Sequence, residues 1–327
     1  MKIAVIEKEH IVVKNVDKIT LDDRKGAIVK VLGCGLCGSD IVKFREHISK
    51  DGTVLGHEIV AEIVEINSDT KFKTGEKIVT SHHIPCGTCD YCRHGNVSMC
   101  KHFKSTNIRP GGFSEYVYLS EEHLQNVAHP MPENLSEIEA SFYEPLGCCV
   151  RAVKRAKLMD GSKVLVVGLG SIGILMSQAL KAYGMNVMGC DLIQDRIERL
   201  QNLGIDAVDS RDLEQAELFD AIFMTSGADK AIDVALKTIK SGGTILVFSS
   251  TPHNTGYPNN EIYYRELTVL GSYSPAPVDL KDSLELLRTG KVNVKDLSTI
   301  YSLDDIQKAF DDTIANRIMK AYIKIKD

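Results

Sequence analysis

The chain has 327 residues, 43% of them apolar and 25% charged, with a formal net charge of −5. This length favours about two domains, and the composition is that of an ordinary globule without low-complexity segments. The mild charge and the absence of basic runs argue against a nucleic-acid partner or an acidic membrane surface.

The first ten residues carry charge throughout and lack the apolar core of a signal peptide, so a cytoplasmic location is expected. The richest apolar stretch, Val164–Met176, is broken by three glycines and is too short to span a bilayer. Nine cysteines are unevenly placed: four crowd into Cys86–Cys100 and two form Cys34-x-x-Cys37. Without a secretion signal, such clusters favour metal binding over disulfides.

In chain order, Ile3–Ile6, Ala27–Val31, Ile59–Ile66 and Lys77–Thr80 read as strands separated by glycines and charged turns. A helix is predicted over Glu144–Leu158, after which strand and helix signals alternate. The strand candidates are Lys163–Val167, Asn186–Cys190, Ile205–Val208, Asp220–Met224, Thr244–Phe248 and Leu267–Gly271. Ile172, Leu175, Met176, Ala179, Leu180 and Tyr183 fall at helical spacing, with Gly184 as the stop. Ala231, Ala235, Leu236 and Ile239 repeat the pattern before Gly242 and Gly243. Strands with helical crossovers imply an α/β fold with a parallel, doubly wound Rossmann sheet. The last run, Met319–Ile325, is expected to rejoin the first domain.

Gly168-Leu169-Gly170-Ser171-Ile172-Gly173 sits between the buried run Val164–Val167 and a helix, the context in which GxGxxG binds a dinucleotide. Asp191 closes the second strand, 21 residues after Gly170, where a carboxylate accepts from ribose hydroxyls and repels a 2′-phosphate. The cofactor-binding set is therefore Gly168, Gly170, Ser171, Ile172, Gly173, Asp191 and Arg196, and NAD is expected over NADP. Cys86-x-x-Cys89-x-x-Cys92-x7-Cys100 places four thiols in a loop rich in turn residues. Four sulfurs close a tetrahedral zinc and leave no room for substrate, so this lobe (86–100) is read as a structural zinc site.

Gly35-Leu36-Cys37-Gly38-Ser39-Asp40, Gly56-His57-Glu58 and Glu144-Pro145-Leu146-Gly147 each offer a zinc-capable side chain at a glycine-flanked bend. With the lobe and the GxGxxG unit, in this order, they resemble the zinc-containing medium-chain alcohol dehydrogenases. The resemblance is greatest to the polyol (sorbitol or L-iditol) and threonine dehydrogenase branch. It implies a GroES-like β-rich catalytic domain made of 1–144 and 291–327, with a Rossmann domain inserted at 145–290 and an active-site cleft between them. It makes Cys37 and His57 catalytic zinc ligands and places Glu144 at an acidic ligand position. Glu58 matches a carboxylate that either binds zinc or stands behind it, and the two acids are left unranked. Ser39 begins the proton relay by resemblance, and Asp40 braces a ligand. Two zinc ions per chain, NAD, a small alcohol or ketone and a homodimer or homotetramer are the implied partners.

The chemistry agrees independently: three protein ligands leave one position of zinc open, a bound alcohol loses its proton more readily, and hydride passes to nicotinamide. Cys34, Cys148, Cys149 and Cys190 read as small buried apolar residues, and His82, His83, His94 and His102 as surface or loop residues. Many relatives carry a histidine five residues after the ligand cysteine, where this chain has Val42 followed by Lys43. Leu270-Gly271-Ser272-Tyr273-Ser274 also lacks the arginine that sorbitol-type enzymes place there. The expectation is therefore an NAD-dependent oxidation of a secondary alcohol in a polyol, cyclitol or amino-polyol. The rivals are a threonine-type 3-hydroxy amino acid dehydrogenase and a zinc-stabilised dinucleotide-binding protein without turnover.

Overall fold

The structure, a computed structural model, describes residues 1–213, 218–228, 230–250 and 256–325. Two compact units emerge: Met1–Pro145 with Ala276–Arg288 and Val294–Asp327, and Leu146–Pro275 with Thr289–Asn293. In the first unit, β1 (Lys2–Glu7) and β2 (His10–Asn15) form an antiparallel pair. β3 (Gly26–Gly35) is the backbone of the larger sheet and pairs antiparallel with β4 (Glu58–Asn67). β5 (Lys77–Thr80), β6 (Tyr116–Ser120) and the short β7 (His129–Pro130) complete this part: β5 lies between β4 and β7, and β6 pairs with β3.

Alternate residues Ala27, Val29 and Val31 of β3 enter one core with Ile59, Ala61 and Ile63 of β4, which is why these β-branched runs were legible. The β3–β4 register shifts between Ile28 and Val29 and again between Val31 and Gly33, bending the strand before it reaches Cys37. Strands β2 and β6 go beyond the sequence reading.

The second unit holds a six-stranded parallel sheet of β8 (Lys163–Val167), β9 (Asn186–Asp191), β10 (Asp206–Asp209), β11 (Phe219–Met224), β12 (Ile239–Val247) and β13 (Thr268–Gly271). Their order, β10-β9-β8-β11-β12-β13, reverses direction of winding between β8 and β11 and is the doubly wound arrangement. Ser171–Ala182, Gln194–Asn202 and Lys230–Thr238 are the helices between its first strands. Ile239 differs from expectation: it opens β12 instead of closing the preceding helix. The Arg265 guanidinium donates to the carbonyls of Leu236 and Ile239, the groups a longer helix would use itself.

The chain then returns to the first unit, earlier than the sequence boundary at 290/291. Helix Pro277–Arg288 packs there, because Ser283 Oγ donates to Tyr143 O at 2.8 Å and Asn134 Nδ2 donates to Arg288 O at 2.9 Å. β14 (Ser298–Ser302) lies parallel to β15 (Lys320–Lys324), and β15 runs antiparallel to β3 with Tyr322 opposite Gly35. The final run therefore sets residue 320 beside the bend that follows β3. Among the described residues no helix is long and apolar enough to cross a membrane.

Candidate metal and cofactor sites

The four sulfurs of Cys86, Cys89, Cys92 and Cys100 lie within 4.8 Å of one another. Cys89 Sγ is 3.6 Å and Cys86 Sγ 4.0 Å from Cys92 Sγ. A zinc–sulfur bond of about 2.3 Å gives a tetrahedral edge of about 3.8 Å, whereas a disulfide would need about 2.05 Å. The cysteines are free thiols at a zinc spacing. Local folding achieves this: the Cys89 N–H donates to Cys86 Sγ at 3.3 Å, and the Cys86 N–H donates to Cys100 Sγ at 3.5 Å. Backbone N–H groups of Thr88 and Cys89 hold the Cys86 thiol down to about 5, favouring the thiolate that a metal needs. Burial pushes Cys92 up to about 12.

The second site is built from distant segments of the first unit. Where β3 ends, Cys37 caps helix Gly38–Arg45 and its sulfur accepts from the Ser39 N–H at 3.4 Å. The exposed Ser39 hydroxyl lies 3.3 Å from the same sulfur. Asp40 reciprocates the cap by accepting from the Cys37 N–H at 3.3 Å, and its other oxygen is 3.4 Å from His57 Nδ1. That pairing leaves Nε2 of His57 as the lone pair for a metal. Burial alone would raise the Asp40 carboxyl, but the neighbouring His57 holds it below the usual range.

One donor atom each from Cys37, His57 and Glu58 lies within 4.8 Å of the others, and the same holds for His57, His82 and Glu144. His57 is the shared member. The sequence candidates Cys37, Ser39, His57, Glu58 and Glu144 are thus all gathered in this region, with Glu58 and Glu144 on different trios.

Two further residues of the site escape sequence reasoning. Lys320, 4% exposed, places Nζ 2.5 Å from Glu58 Oε2 as a buried ion pair. Burial alone would neutralise the amine, but Glu58, Cys37 and Glu144 keep it charged. His82 is buried instead of surface-exposed, and its ring lies 4.5 Å from that of His57, tilted by 45°. None of its neighbours belongs to either trio: His83 Nδ1 meets Thr106 O, His94 meets Asp90, and His102, in the short helix Lys101–Ser105, places Nε2 2.7 Å from Glu122. Cys34, Cys149 and Cys190 are buried thiols, while Cys148 is only half-buried. The buried Glu58 Oε1 has no hydrogen-bond partner among the described residues. A carboxylate oxygen in that condition, beside a thiol and an imidazole, fits a divalent cation.

In the second unit Gly168 adopts φ +97°, and a Cβ there would lie 2.7 Å from the Ser226 side chain. A Cβ on Gly173 would lie 1.9 Å from Gly168 O, so only glycine lets the helix approach the strand. Gly170 faces open space and caps helix Ser171–Ala182, which includes Ile172, without a side-chain hydrogen bond, leaving N–H groups for an anion. A cavity of about 330 Å³ is lined by Gly168, Gly170, Asp191 and Arg196. Asp191 Oδ2 accepts from Leu169 N at 2.6 Å, Oδ1 accepts from Leu192 N at 2.7 Å, and Arg196 Nη1 lies 3.6 Å from Oδ2. These contacts fix the carboxylate at the strand end.

Comparison with known proteins agrees with this geometry. The alcohol dehydrogenase GroES-like domain family matches residues 23–132, and the zinc-binding dehydrogenase family matches residues 171–289. Sorbitol dehydrogenase 2 of Saccharomyces cerevisiae is 31% identical over 323 residues, covering 91% of this chain and 89% of that protein. The sorbitol dehydrogenase of Halalkalibacterium halodurans is 32% identical over 301 residues, covering 86% of each. The chain belongs to the zinc-containing medium-chain alcohol dehydrogenases.

Its fold agrees: an alcohol dehydrogenase from Thermus sp. ATN1 superposes with a TM-score of 0.87 over 100% of both chains at 23% identity. As a member of this family the chain is a zinc-dependent, NAD-linked alcohol dehydrogenase acting on a small alcohol.

Proposed function

We propose that this dehydrogenase oxidises a secondary alcohol of a polyol, cyclitol or amino-polyol at the site formed by Cys37, His57, Glu58 and Glu144. The observation that carries the reading is the mixed-donor cluster itself: thiol, imidazole and carboxylate within bonding reach of one cation, beside an exposed serine hydroxyl. The sorbitol dehydrogenase relatives support the substrate class.

Cys37, His57 and Glu58 are the ligand set of this reading, and Glu144 stands beside it on the second trio, which shares His57. Cys37, His57 and Glu58 would hold a zinc ion there, which would supply the Lewis acidity that lowers the pKa of an alcohol. NAD, bound through Gly168–Gly173 and Asp191, supplies the hydride acceptor. Asp40 holds the His57 tautomer, and Ser39 accepts the proton that leaves the substrate hydroxyl and passes it toward solvent. With Val42 where relatives have histidine, and 40% exposed, the relay ends on cofactor ribose or water.

The four-cysteine lobe takes the second zinc and serves stability. A homodimer or homotetramer through the exposed edge of β13 and a cytoplasmic location complete the proposal. The first is supported by β13 lying at the end of its sheet, where among the described residues one edge of the strand has no strand partner.

The test is NAD⁺ reduction over a panel of polyols, cyclitols, amino-polyols, threonine and hydroxy acids, with and without a zinc chelator. Chelator-sensitive turnover of a polyol or cyclitol supports the reading. Turnover of threonine alone replaces it with the 3-hydroxy amino acid rival, and silence of a two-zinc protein across the panel overturns the polyol reading.

A further inference from the structure

His82 has an environment that metal binding by Cys37, His57 and Glu58 does not explain. The residue follows β5, where Thr80, Ser81 and His82 are all buried. Its carbonyl accepts from His123 Nε2 at 3.1 Å, fixing the backbone, and its ring contacts those of His57 at 4.5 Å and His83 at 4.0 Å, each pair tilted by about 45°. His83 in turn contacts Phe103 at 4.7 Å. The ring is therefore restrained by two neighbouring rings.

An imidazole offers hydrogen-bonding capacity at both ring nitrogens. Yet Nδ1 is buried with no hydrogen-bond partner among the described residues. A buried, unsatisfied ring nitrogen is costly to maintain unless something that enters the site completes it. One ring nitrogen lies within 4.8 Å of donor atoms of both His57 and Glu144, so the His82 ring stands beside the cation site.

A fourth protein ligand is one reading, but it would fill the position a substrate needs. A polar substituent beside the reacting carbon is the other. Resting on the polyol reading above, we propose that His82 is a specificity residue that hydrogen-bonds the hydroxyl adjacent to the carbinol being oxidised, selecting vicinal diols over simple alcohols. Adjacent hydroxyls of a gauche diol lie a hydrogen-bond length apart, so one reaches the cation site while its neighbour meets His82. Glu144, on the same trio, is positioned to accept from that neighbouring hydroxyl.

The experiment compares kcat/KM for butane-2,3-diol and butan-2-ol in the zinc-loaded wild type and in His82→Phe and His82→Gln, with zinc per chain measured for each. The expected result is a diol-to-monoalcohol ratio lowered by about 10- to 100-fold in His82→Phe. His82→Gln, which keeps a donor and an acceptor, should recover part of the ratio, and zinc content should match the wild type in both. If His82→Phe does not fold, His82→Ala carries the same ratio.

An unchanged ratio in active protein overturns the role of His82 and leaves the polyol reading standing. Loss of one zinc in His82→Phe overturns it in favour of ligation. Silence of the wild type toward both alcohols overturns this inference, because the site then does not take a simple vicinal diol, while the panel above decides the polyol reading separately.

Discussion

The two metal-competent clusters of the first unit solve opposite problems. The lobe of Cys86, Cys89, Cys92 and Cys100 draws all its donors from one short loop, closes them around a single point and leaves nothing for a substrate to occupy. The site at Cys37 draws on the end of β3, the start of β4, the segment after β5, the start of helix Tyr143–Ala156 and the start of β15. It mixes donor types and carries an exposed hydroxyl. A closed, homogeneous site stabilises; an open, heterogeneous one tunes charge and leaves room for chemistry.

The same difference decides what the sequence discloses. Cysteine spacing reports a contiguous lobe directly. The parallel sheet was equally legible, since the runs of β8 to β13 are apolar and their crossovers carry helical spacing. The open site was legible only at glycine-flanked bends such as Gly56-His57-Glu58. Lys320 looks like an ordinary lysine in Met319–Ile325 until β15 pairs with β3 and buries it against Glu58. His82 looks like a loop residue for the same reason: its burial comes from ring contacts with His57 and His83, the first of them 25 residues away in sequence. Long-range pairing carries no local pattern.

The comparison can be broken where it makes opposite demands. The largest effect is expected from Cys89→Ser: one zinc per chain is lost and thermal unfolding shifts down strongly, because structural zinc binding is folding free energy on the order of 10 kcal/mol. Calorimetry with metal analysis reads both, and an unshifted transition would make the lobe dispensable.

Next, Ser39→Ala should lower kcat by about 10²- to 10⁴-fold with both zincs retained and unfolding unchanged. Lys43→Ala should change it little, and the reverse order would move the proton route to the lysine.

Smaller and more discriminating is Lys320→Met. Removing the cation leaves Glu58 as an uncompensated buried charge, so zinc affinity of the open site should change while the lobe keeps its own ion. Competition with a chelator resolves the two ions; equal loss from both would make Lys320 a packing residue.

The smallest effect is expected in the other unit, where Asp191→Ala should weaken NAD binding by about 10- to 100-fold in fluorescence titration. Zinc content should not respond, and an unaltered NAD affinity would remove Asp191 from the cofactor site.

The central claim, that the open mixed-donor cluster does the chemistry and the closed lobe does not, is tested most directly by Cys37→Ala. The purified variant should hold one zinc per chain, unfold as the wild type does, bind NAD normally, and reduce no NAD⁺ with any alcohol the wild type oxidises. A variant that keeps two zincs and wild-type turnover would contradict the account.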